Sequence, residues 1–280
     1  MGGRVLKRKV VLGSMAFLAM IGIAAAEPVA KPAEISSKWE LGPEVYYSEY
    51  KEPDFDVKID GVMYGVVGAL EGHNNSKHWM TRLEGRAAWG EKDYHSTASG
   101  SVNGIEDYLL EGRGVVGYDF HPSEHWTFTP FFGAGYRYLN DDSSGKVSSN
   151  GARGYERESA YFYSPAGAEL RGDLNDGWTL AFNGEYEIFW SGEQKSHLED
   201  ALPSLNTISN DQDSGYGVRG SIKLQKKGEK YDILIEPFVR WWSVQDSQVS
   251  NITYTGVIVG YAYEPKNETL EAGCKVSFLF

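Results

Sequence analysis

From Trp178 to Trp190 every second residue is apolar or glycine: Trp178, Leu180, Phe182, Gly184, Tyr186, Ile188 and Trp190. The intervening positions carry Glu185 and Glu187. Strict alternation is the mark of a strand with two unlike faces. The same layout recurs from Trp79 to Trp89, from Trp126 through Tyr136, and from Tyr231 to Trp241. In each, an aromatic opens the apolar face and another stands ten or twelve residues later. A strand rises about 3.3 Å per residue. Tilted by about 40°, ten residues climb roughly 25 Å, the height of the apolar band of a membrane barrel. Aromatics at both ends of that climb fall at the two membrane–water interfaces. A soluble sandwich alternates too, but has no reason to repeat the spacing strand after strand.

The other face carries Arg82, Glu84, Arg86, Glu111, Arg113, Arg137, Glu185, Glu187, Arg219, Lys223, Asp232, Glu236, Arg240, Glu271 and Lys275. With the apolar face toward lipid, these charges point inward. Lipid cannot satisfy an open sheet edge, so the sheet must close. No helical period competes with the strands. Ten are predicted, over 38–50, 60–72, 78–92, 106–121, 126–139, 157–172, 177–191, 214–226, 230–244 and 267–280. The fold class is therefore all-β: a closed, ten-stranded, up-and-down antiparallel barrel, expected to be a monomer. Short connections such as "HPSEH" and "KKGEK" alternate with long ones. "KEPDFDVKI" and "DYHSTASGSVNGIE" are read among the long outer loops. "YTGVIVGYAYE" is read as part of a hairpin reaching beyond the membrane.

The N-terminus supplies a basic "GRVLKRK", an apolar "VVLGSMAFLAMIGI" and the small residues of "AAAE". This is the pattern of a secretory signal peptide cut after Ala26. Residues 1–26 are thus expected to be removed, 27–37 to form a short linker, and 38–280 to form the barrel. Loss of Arg4, Lys7, Arg8 and Lys9 takes the net charge from −12 to −16. So acidic a chain does not bind nucleic acid through its phosphates. Cys274 is the sole cysteine, so no internal disulfide forms.

The last eleven residues, "LEAGCKVSFLF", place Val276, Phe278 and Phe280 on one face. This resembles the assembly signal of bacterial outer-membrane proteins. With the strand pattern, the chain resembles Gram-negative outer-membrane β-barrels, and is similar in size to ten-stranded omptin proteases and Opc-type adhesins. The resemblance implies outer-membrane lipid and lipopolysaccharide as surroundings, and docking to the assembly machinery through the C-terminal strand. Trp79, Trp89, Trp126, Tyr136, Trp178, Trp190, Tyr231 and Trp241 would form its aromatic belts.

A ten-stranded barrel is narrow. Its inward charges are of both signs and are expected to pair and fill the bore, not to line a selective pore. Chemistry would have to lie in the outer loops. An omptin-type site resembles a pair of aspartates facing an Asp–His pair. Asp93 and His95 offer one Asp-x-His spacing; His197, Asp200, Asp211 and Asp213 gather in a long loop. The order is reversed relative to the family pattern, so no role is carried across, and solvated loop residues are the plainer reading. No Ser–His–acid set is evident. The pairs His121/His125 and His73/His78, and the acidic runs at 140–142 and 210–213, lack the spacing of a metal site. No cofactor or metal is expected. The functional expectation is a non-enzymatic surface, structural or adhesin-type barrel, with an omptin-like protease or a small channel as the alternatives.

Overall fold

A computed structural model describes residues 35–74 and 76–280. The signal sequence and most of the linker lie outside the described residues. The strands are β1 (Ile35–Glu52), β2 (Val57–Asn74), β3 (Trp79–Ser96), β4 (Gly100–Tyr118), β5 (Phe120–Ser123), β6 (Trp126–Asp142), β7 (Glu156–Asp173), β8 (Trp178–His197), β9 (Thr207–Gln212), β10 (Gly215–Lys226), β11 (Asp232–Val244), β12 (Ser250–Tyr254), β13 (Val257–Ala262) and β14 (Asn267–Leu279). A single helical turn, α1 (Leu198–Ala201), follows β8.

Ten of these strands form an antiparallel ring in the order β1-β2-β3-β4-β6-β7-β8-β10-β11-β14. The ring closes where β14 pairs with β1, from Glu40 opposite Leu279 to Lys51 opposite Glu268. Trp39 and Phe280 complete the seam with two backbone hydrogen bonds, of 3.1 and 2.9 Å. Closure leaves the ring without an open edge, as a lipid environment requires.

The alternation falls as the sequence indicates. Trp79, Trp89, Trp190 and Tyr136 are about half exposed on the outer wall, while Arg86, Glu111, Arg137 and Glu187 are buried in the lumen. Phe278 and Phe280 also face outward.

Two connections differ from expectation. Strands β1 and β2 run on to Glu52 and from Val57, leaving only residues 53–56 as a turn, and β3 and β4 leave only 97–99. "KEPDFDVKI" and "DYHSTASGSVNGIE" are therefore mostly ladder, not loop. In these extensions the outward positions, such as Asp93 and His95, are polar and exposed while the hydrogen-bond ladder continues. The longer outer connections, 143–155, 198–214 and 245–266, crown the other side. In the last of these, β12 and β13 make a separate two-stranded sheet.

A bulge reshapes β8. Phe162 and Tyr163 of β7 pair with Ser191 and Phe189, so β8 holds one extra residue at Trp190. Below it Glu185, Glu187 and Phe189 are buried; above it Gly192, Gln194 and Ser196 take that side. An inserted residue inverts the parity of everything beyond it.

Candidate functional site: the lumen and the outer mouth

Because lumen-facing positions repeat every second residue on ten strands, their side chains meet in storeys. The central storey is the most buried. Arg86 reaches Glu44 (3.0 Å), Glu111 (2.6 Å) and Glu271 (2.8 Å). Glu271 also accepts Arg137 (2.5 Å) and Arg240 (3.3 Å), and Arg240 returns to Glu44 (3.1 Å). Arg219 pairs with Glu111 and, at 3.2 Å, with Glu187. Four arginines thus meet four glutamates. A charge without a partner here would carry a desolvation cost of several kcal/mol, about what is lost when one member of such a pair is removed.

Below it, Arg113 joins Glu84 (2.9 Å) to Glu185 (2.5 Å), and Lys275 joins Glu40 to Glu236 at 2.6 Å each. Toward the periplasmic end Arg82 holds Glu40, Glu71 and Glu84, while Lys223 holds Glu169 at 2.6 Å. Asp232 lies near that end, 3.7 Å from Lys38. His73 sits between Asp119 (2.7 Å) and Glu71 (3.0 Å). Two cavities within these storeys, one beside Glu71 and Arg82 and one beside Arg219 and Glu236, measure about 30 Å³ each. Such a space holds on the order of one or two waters.

Sequence parity placed many of these groups but overlooked their partners Glu40, Glu44, Glu71, Glu169 and Arg171. Glu40 and Glu44 alternate with Trp39, Leu41 and Val45 on the first strand, so the same rule reaches them.

Above the central storey comes a layer the charge pattern did not suggest. Tyr46, Met63, Ala88 and Leu109 form one buried cluster, which Phe238 joins from one step below Arg240 on β11; Tyr161, Tyr163, Phe189, Trp242 and Val244 form another, and Leu139 packs against both. Two glycines make room for it. A Cβ on Gly135 would collide with the Tyr163 ring, and one on Gly217 would come within 2.9 Å of the Trp242 indole. The Tyr163 hydroxyl donates down to Glu111, tying the apolar layer to the ion pairs. Beyond this layer the barrel opens outward into a cavity of about 440 Å³.

The Asp and His candidates do not converge. Asp93 and His95 are exposed on the outer wall of β3, where Asp93 accepts the Gly104 N–H (2.9 Å) and His95 lies 3.2 Å from Ser101 Oγ. His197 stands beyond the bulge on β8, bound to Glu158 (2.7 Å) and Glu199 (3.4 Å). Asp200 accepts the Glu156 N–H, Asp211 pairs across to Glu193, and Asp213 accepts from Gln248. Strands β4, β6 and β7 intervene between the two groups in the ring. No water can bridge them. His197 lies seven residues above the interfacial Trp190, clear of the membrane span. Burial pulls its pKa down, but the hydrogen bonds to Glu158 and Glu199 outweigh that and hold it above the ordinary histidine value. Among the described residues no group of three or more His, Cys, Asp or Glu is placed to hold a metal.

The sequence matches the family model described as the outer membrane protein beta-barrel domain over residues 15–209. No curated protein matches it. Among solved structures, the outer membrane protease OmpT from Escherichia coli is similar with a TM-score of 0.55 at 9% identity, over 91% of this chain and 99% of that one. The Pseudomonas putida toluene transporter TodX is more distant, with a TM-score of 0.34 at 9% identity, over 87% of this chain and 89% of that one. At these identities likeness speaks to fold alone.

Proposed function

Since the chain belongs to the outer membrane protein beta-barrel domain family, we propose that its membrane-spanning part is a closed, ion-paired plug. Its work is then done at the outer face, as a non-enzymatic binding protein of adhesin type. The central storey carries this reading. Four arginines and four glutamates, with the aromatic layer above them, occupy the bore without leaving a single-sign wall. An ion crossing it would have to break several buried, charge-assisted hydrogen bonds at once. Export by cleavage after Ala26 and display at the cell surface are parts of the same proposal.

The outer face supports it in a second way. Residues 249–263 contain no charged side chain. Val249, Val257, Ile258, Val259 and Tyr261 are each more than half exposed. An exposed apolar patch on an otherwise charged protein marks an interaction surface, and among the described residues β13 pairs with β12 alone, so that its other edge is open to strand addition.

Planar-bilayer recording tests the plug: the intact protein should show no long-lived openings at ordinary salt, and sustained unitary currents would overturn it. Binding of whole cells to immobilised matrix proteins tests the outer face. It should fall when residues 250–262 are replaced by a short turn, and unchanged adhesion would overturn that part.

A further inference from the structure

The outward cavity of about 440 Å³ is of the size that holds small ligands. Its wall is apolar: Ile59, Ile105, Ile208 and Ile252 come to it from β2, β4, β9 and β12. Its floor is not. Arg157 pairs with Glu264 and lies 3.7 Å from Glu52 and 4.0 Å from Asp141. The Tyr50 hydroxyl is 2.8 Å from both Glu52 and Glu264, and its single proton serves one of them at a time.

Just below, Asp141 is the cross-strand partner of Asp107. Like charges directly opposed on a sheet repel. Lys92 meets Asp107 at 2.8 Å, yet Asp107 Oδ1 is buried and has no hydrogen-bond partner among the described residues. The floor and the layer just beneath it therefore set four carboxyl groups against two cations, an excess of acidic groups. The remaining arginine on the cavity, Arg153, stands exposed at the rim and donates to the Ala201 carbonyl. Burial pushes the Glu264 carboxyl up, with Arg157 opposing. The floor lacks countercharge that an occupant could bring.

An anion would add to the excess. A divalent metal would need three or more ligands closed around it, which the described residues do not offer. What fits is an apolar body ending in a monovalent, hydrogen-bond-donating cation. Tyr94, Tyr155 and Tyr263 also line the cavity and add rings on which an ammonium can rest. We propose that this cup is a receptor site for a small organic amine, its hydrocarbon against the isoleucine wall and its ammonium on the Asp141–Glu264 floor. The proposal deepens the reading of a surface-binding barrel and rests on it in treating the cup as a dead end.

The test is calorimetric titration of the full-length barrel, folded in detergent, with phenethylamine and tryptamine, against phenethyl alcohol and hydrocinnamate. Saturable amine binding is expected, with the alcohol weaker by about tenfold or more and the carboxylate weaker still. Asp141→Asn should weaken the amine by a similar factor. Ala152→Trp, in a loop that lines the cup, should abolish it. Heat-dependent electrophoretic mobility checks that both variants close their barrels. Equal affinity for amine and carboxylate, or full amine affinity in either folded variant, overturns the proposal, as does the absence of amine binding in the intact protein. Bilayer recording separates this from the plug: a silent barrel that ignores amines refutes the cup alone, and a conducting barrel that binds them refutes the plug alone.

Discussion

Glu271 Oε2 stands 2.8 Å from Arg86 Nη2, and both side chains are about 1% exposed. The same carboxylate receives Arg137 and Arg240. One acid thus bridges three guanidinium groups drawn from β3, β6 and β11, on strands that are not neighbours of one another. It fastens the barrel across its bore as well as along its wall.

Glu271→Ala should cost about 3–5 kcal/mol, the usual loss when one member of a buried ion pair is removed. Equilibrium urea unfolding in lipid vesicles measures it. A loss below about 1 kcal/mol would mean that water enters and replaces the carboxylate.

His197 gives the outer crown a pH dependence of definite sign. Its folded pKa lies above the ordinary histidine value. The stabilisation it supplies is therefore complete below that value and disappears as pH rises through the folded pKa. Protection of segment 198–206 from a broad-specificity protease should decline as pH rises above the ordinary histidine range. In His197→Gln the decline should be absent; if it persists unchanged, another group is responsible.

Asp93→Asn and His197→Ala should leave the protein indistinguishable from the parent against a dibasic peptide library, with no cleavage by any of them. Cleavage lost on either substitution would revive a protease, and would require the two walls to meet in a state other than this one.

Intact mass of the protein taken from outer membranes should begin at Glu27. Retention of residues 1–26 would replace the cleaved leader with an anchor.

Most of the barrel was legible because each spanning strand faces two unlike media. Trp178 to Trp190 shows both: rings and aliphatics toward lipid, Glu185 and Glu187 toward the bore. Where that contrast ends, so does legibility. Val57 to Asp60 and Tyr94 to Ser96 are strand, yet these stretches are too short, and too close to polar turns, to be told from loop by their pattern alone. The bulge at Trp190 was hidden for a different reason. Counting by twos from Glu187 directs His197 inward, and only the pairing with β7 reveals the extra residue that turns it out. The cup was out of reach because Glu264, Asp141 and Glu52 belong to separate connections and strand tips, and no local pattern joins them. The aromatic layer was half visible: Trp241 and Trp242 are adjacent, so one of them had to face the lumen.

The seam between Trp39 and Phe280 ties the first described strand to the last. Such a molecule cannot be finished piecemeal. A nascent or clipped copy lacking only β14 would present two raw borders to a medium with nothing to offer them. The wall therefore stays open until β14 is seated, and its two borders, on β1 and β11, are satisfied in a single closing step.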